Sequence, residues 1–168
     1  FCGISTYSRD LANALLRLGH HVVVLSEEGV SDPNEEGFDA PYLDCWRRDY
    51  IGYESLIRTI EQEKPDVVHL QHEYGLFPNS EAVADLLQKL RALGVPSVVT
   101  MHTVSAEGRG PGSQQDRVVA FSADAVVVHS WAALDALGRP TARIIPVAHI
   151  PHGTLEDRKP MNRTSARA

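Results

Sequence analysis

Eight histidines stand among the 168 residues of this chain. Five of them, His72, His102, His129, His149 and His152, fall at or soon after short apolar runs. Imidazole titrates closest to neutrality of the common side chains, so a group of histidines can move a proton, accept a hydroxyl hydrogen bond or hold a metal ion. Other polar residues stand beside them: Gln71 and Glu73 flank His72, Thr103 follows His102, and Ser130 follows His129. His102 is the first candidate for a functional role, because it ends an apolar run and precedes a glycine-rich segment able to close over a ligand. His72 and Glu73 come next, then His129 and His152. His20 and His21 read as polar residues of a connection, and His69 as a sheet-face residue in mid-strand.

Local motifs narrow the chemistry. A zinc site needs three or four converging ligands, and the sequence holds neither an HExxH nor a CxxC pair. His69 and His72 would point to opposite faces of a strand, since side chains alternate. No metal is expected on this reading. No GxGxxG opens a helix, no GxxxxGK[ST] occurs, and no GxSxG elbow marks a hydrolase. The segment Gly108-Arg109-Gly110-Pro111-Gly112 lacks a strand-to-helix context and reads as a linker or lid. Gly3 is a turn residue that, just before a helix, would let backbone N–H groups approach a phosphate.

The elements that must position these residues alternate. Leu11, Leu15 and Leu18 recur at helical spacing and Gly19 supplies a stop, which predicts a helix over about residues 6–18. His21 to Leu25 reads as a buried strand. Residues 27–48 read as a surface loop with one short strand. A helix around Leu56, Ile57 and Ile60 ends at Pro65, and a strand follows over 67–72. Val83, Leu86, Leu87 and Leu90 give the firmest helix, closed by Gly94 and Pro96. Then come a strand over 97–102, a mobile segment over 104–113, a short helix at Val118 to Phe121, a strand over 125–129, a helix over 130–137 and a last strand over 143–147. Alternation of this kind specifies an α/β, doubly wound, Rossmann-like parallel sheet, with ligands at the carboxyl ends of its strands.

Composition bounds the rest. Sixteen Lys and Arg stand against 22 Asp and Glu, a net charge of −6, and no basic cluster offers a footprint for nucleic acid. Two cysteines, Cys2 and Cys45, do not make a secreted disulfide scaffold, so a cytoplasmic setting is expected. The longest apolar runs are about four residues against the roughly 20 needed to span a bilayer. No signal peptide is visible; the membrane contact still admitted is a peripheral one. A chain of this length buries on the order of 70% of its unfolded surface.

Cys2-Gly3-Ile4 leading into Thr6 to Ala12, then Gly19-His20-His21-Val22, resembles the glycine loop, first helix and following strand of family 4 glycosyltransferases, which adopt the two-domain GT-B fold. The likeness runs on through Pro65 to Glu73, Val99-Thr100-Met101-His102-Thr103, Asp124 to Ser130 and Ile150-Pro151-His152-Gly153. It implies retaining transfer of a sugar from a nucleotide-sugar donor to a hydroxyl acceptor (a glycan, lipid-linked sugar or small molecule), with no cofactor and no obligatory metal. Gly3, Ile4 and Ser5 would face the donor diphosphate and His102 would contact the donor sugar, while His72, Glu73, Thr103 and Ser130 would line the acceptor side. The family's opening strand and its C-terminal donor domain have no counterpart in the sequence. The expectation is therefore one half of a GT-B fold, first strand missing, over residues 1–153, with a disordered tail over 154–168 and little activity alone. A non-catalytic module that binds a glycan or partner is the alternative.

Overall fold

The computed structural model describes residues 3–29, 39–48, 53–105, 111–138 and 145–153. The expectations for the 106–110 part of the glycine-rich segment and for the tail over 154–168 lie outside them. The described elements are α1 (Gly3–Arg17), β1 (Val24–Glu27), β2 (Tyr42–Trp46), α2 (Glu54–Glu63), β3 (Val68–His72), α3 (Ser80–Ala92), β4 (Ser97–Met101), α4 (Pro111–Ser122), β5 (Ala125–Val128), α5 (Trp131–Leu137) and β6 (Val147–His149). Every strand pairing is parallel, and helices alternate with strands. The fold is Rossmann-like α/β.

The strands form two ladders, β1-β2 and β3-β4-β5-β6, where the sequence suggests one sheet. In the larger ladder each crossover steps the same way, and right-handed crossovers then put their helices on one face. Accordingly α3 packs on α4 and α4 on α5. Under those helices Val99, Met101, Val126 and Val128 are buried, whereas their alternate neighbours Val98, Ala125 and Val127 are half-buried. From α3 come Val83, Leu87 and Leu90, all fully buried, each worth about 1.5–3 kcal/mol of hydrophobic stabilisation. The two ladders share this core: Trp46 of β2 stacks on Phe77, ring centroids 5.0 Å apart, and Tyr53 lies 6.2 Å from the same ring.

Local chemistry explains several boundaries. Asn79 caps α3 by accepting from the Ala82 N–H at 3.0 Å. Helix α2 closes at its cap Lys64, which donates its N–H to the Ile60 carbonyl at 2.9 Å and then turns the chain away with a φ of 49° just before Pro65. Helix α4 begins at Pro111, inside the stretch expected to be loop, because proline at the first helical position loses no hydrogen bond. The last described strand is Val147–His149; residues 143 and 144 of the expected 143–147 strand lie outside the described residues, and Pro146, which has no N–H for the ladder, accepts through its carbonyl from the Val126 N–H at 2.9 Å.

Candidate functional site

Register and alternation build the site. Met101 stands opposite Val128, and Val128 opposite His149. The next residues along, His102, His129 and Ile150, therefore emerge side by side at the carboxyl edge. Met101 and Val128 face the core, so His102 and His129, one residue later, face the opposite side of the sheet. That same face carries His69, Gln71 and Thr100, and His69 Nε2 meets the Thr100 hydroxyl at 2.7 Å.

Each histidine at this edge is held. The His102 Nε2–H donates to Gln71 Oε1 at 2.9 Å, and its backbone N–H donates to the His72 carbonyl at 3.1 Å. His129 donates from Nδ1 to the Ile150 carbonyl at 2.8 Å. His152 stacks on His129 with centroids 3.8 Å apart. Tyr7 of α1 covers the three edge-on, its ring 4.9 Å from His102, 5.2 Å from His129 and 5.6 Å from His152. Beside them the Thr103 hydroxyl donates to Glu73 Oε2 at 2.7 Å.

The electrostatics keep His102 neutral. Burial first, and then repulsion from His129 and His152, push its pKa down to about 4, with Glu73 pulling weakly the other way. Burial, and after it His129, lower His152 too. A neutral imidazole whose one nitrogen donates to a carbonyl oxygen offers a lone pair on the other. The edge is thus equipped to accept hydroxyl hydrogen bonds or to ligate a cation, and poorly equipped to attract an anion. An anion would find its partner one turn away. Gly3, Ile4 and Ser5 form the first turn of α1, about 6 Å along the axis from Tyr7. The amino end of a helix carries outward N–H groups and partial positive charge, and no acidic residue stands in this first turn to neutralise it.

A sequence model of the family described as Glycosyltransferase Family 4 matches residues 1–121. The chain belongs to glycosyltransferase family 4. Comparison with curated proteins and with solved structures gave no match. The Rossmann-like fold agrees with this membership, since the family's domain is one of the GT-B type.

In this glycosyltransferase domain the edge brings together His102, Glu73 and Thr103 of the expected residues, and adds His129 and His152. Gly3, Ile4 and Ser5, expected in a loop, lie in a helical turn instead. His72 is not at the edge: it stands opposite Met101 in the ladder, faces the core with it, is 1% exposed and stacks near Phe77. Ser130 sits at the edge as the cap of α5, its hydroxyl accepting from the Ala133 N–H at 3.1 Å. His149 shares the face of Val128 and meets the Trp131 ring at 4.3 Å, apart from the cluster.

Tyr7 and Gln71 belong to the site without having been assigned a role from sequence. Tyr7 precedes Leu11 and Leu15 at four-residue spacing and so extends the apolar stripe of α1 by one turn. Gln71 shares the strand face of His69 by alternation. Two surface grooves, one by Asn79, Glu81 and Gln115 and one by Trp46, Arg47 and Arg58, hold none of the edge residues.

Proposed function

We propose that this domain is the acceptor side of a retaining glycosyltransferase whose donor pocket is completed by a second domain. The observation that carries the reading is the seating of α1: Tyr7, one turn into the helix, packs against His102, so the helix's amino end lies about one turn from a neutral hydroxyl acceptor. A nucleotide-sugar carries those two chemistries, a diphosphate and a ring of hydroxyls, next to each other.

In this reading the N–H groups of Gly3, Ile4 and Ser5 stabilise the charge that develops on the departing diphosphate. His102, fixed by Gln71, accepts from a donor-sugar hydroxyl through Nδ1 and holds the sugar as charge builds on it. Glu73 and Thr103, tied together, present the acceptor hydroxyl, and Ser130 frames that side from the start of α5. The bond from the anomeric carbon to the diphosphate breaks, the bond to the acceptor oxygen forms, and the acceptor proton leaves with the diphosphate. No metal or cofactor takes part in these steps, and the acceptor is a glycan, lipid-linked sugar or small hydroxyl compound. The test is transfer by the full-length protein from uracil-, guanine- and adenine-nucleotide sugars, with the product's anomeric configuration read by proton NMR. Retained configuration with release of nucleoside diphosphate is expected; inverted configuration would overturn the retaining mechanism.

One observation favours a second reading. Trp131 is 67% exposed and leans on His149, a surface on which a sugar ring could stack without reaction. Saccharide binding by the domain without any nucleotide dependence, and no transfer by the full-length protein, would select that glycan-binding module.

A further inference from the structure

We propose that His102, His129 and His152 form a binding site for one divalent transition-metal ion of the zinc type, with the fourth position open to water. One ring nitrogen from each of the three lies within 4.8 Å of the others. Tetrahedral zinc with nitrogen ligands needs separations of about 3.4 Å, so closure requires a movement of little more than an ångström at the widest pair. His152 is the residue able to make it: it is exposed and stands in a segment outside any helix or strand, while His102 and His129 are tethered at strand ends.

The surroundings of the two tethered rings match those of a metal site. Metal-bound histidines donate their other ring N–H to a carbonyl or carboxylate, which fixes the tautomer and aims the lone pair at the ion. His129 does this through Nδ1 to the Ile150 carbonyl, and His102 through Nε2 to Gln71 Oε1. The remaining nitrogen of His129, Nε2, is buried and has no hydrogen-bond partner. A buried lone pair without a partner is a cost, and an ion would remove it. The donor set is all imidazole, which selects zinc, copper, nickel or cobalt over magnesium or calcium. Tyr7 walls the site from α1 against all three rings, and the exposed His152 gives access from solvent.

Sequence motifs could not reveal such a site, because its ligands lie 27 and 23 residues apart, on two strand ends and in the segment after the last described strand (129 − 102 and 152 − 129). Two of the three also lie beyond the stretch that matches the family. The inference stands apart from the glycosyl-transfer reading. Transfer does not need the ion, and an ion here takes the lone pair that His102 would offer to a sugar.

Titration of the full, metal-free chain with cobalt(II) tests it, followed by visible absorption, with zinc(II) binding measured by calorimetry. One equivalent is expected, with the intense absorption of a tetrahedral cobalt site that zinc displaces. His152→Ala, an exposed change that leaves the core intact, should weaken binding by more than about tenfold, and Gln71→Ala by about 10–100-fold through loss of the outer hydrogen bond. His149→Ala should bind as the parent does. Uptake of less than one equivalent, or equal affinity in the parent and His152→Ala, would overturn the site.

Discussion

A one-residue offset divides the histidines into two kinds. His72, opposite Met101, faces the core; His102, one residue past Met101, faces α1. Sequence reading located both at the strand ends but not on their faces, because a face follows from register and register is set between strands. Burial lowers the pKa of His72 and, with its two histidine neighbours, that of His102 to about 4. Unfolded, both titrate near 6.5. Below that value the unfolded chain takes up protons that the folded chain refuses, so stability is full above about pH 6.5 and is lost as pH falls toward about 4. The melting temperature should therefore be lower at about pH 5 than at about pH 7.5. Neither ring nitrogen of His72 has a hydrogen-bond partner, and a phenyl ring keeps its shape and its stacking on Phe77. His72→Phe should then be neutral or stabilising by about 1 kcal/mol near neutrality, and should narrow the acid-induced drop. Thermal melts followed by circular dichroism decide both points, and equal melting temperatures for the parent at the two pH values would contradict them.

At the scale of elements, one buried carboxylate connects core to site. Asp116 of α4 is 1% exposed and accepts from the Ser105 N–H at 2.8 Å and from the Tyr74 hydroxyl. It thereby fixes the connection carrying Thr103 and Ser105 against the one carrying Glu73 and Tyr74. Asp116→Ala strands both donors and should cost about 1–3 kcal/mol in chemical denaturation, with faster amide exchange at Ser105. Asp116→Asn, which keeps an accepting oxygen, should recover part of that loss; full stability in the alanine variant would refute the role. Nothing in the sequence around Asp116 announces it, since the link joins residues far apart in the chain. Elements themselves were more legible. The spacing of Val83, Leu86, Leu87 and Leu90 predicts α3, and those four are its buried side chains together with Ala82 and Ala84. By contrast Tyr42 to Trp46 has no alternation to mark β2, whose place in the core rests on Cys45 and Trp46 packing inward.

The whole molecule depends on joining two parallel ladders that share no strand pairing among the described residues. Phe77 makes that joint, with Trp46 stacked on it and Tyr53 and His72 beside it. Phe77→Ala should cost about 3–5 kcal/mol, read from denaturant unfolding by tryptophan fluorescence, and an unchanged midpoint would show that the ladders are joined elsewhere. The alternation that specifies an α/β fold is plain in the sequence; the separation of the ladders is not, because it depends on which strand edges meet. The same holds for function. The family is legible in ordered motifs, while the meeting of Tyr7, His102, His129 and His152 exists only in the folded chain. In the proposed function this edge holds the sugar during transfer. The measurement that addresses it most directly is the rate of nucleoside diphosphate release from a nucleotide-sugar by the full-length protein and its His102→Ala variant, each shown to be folded. A loss of about 100-fold in that rate is predicted; an unchanged rate would contradict the account.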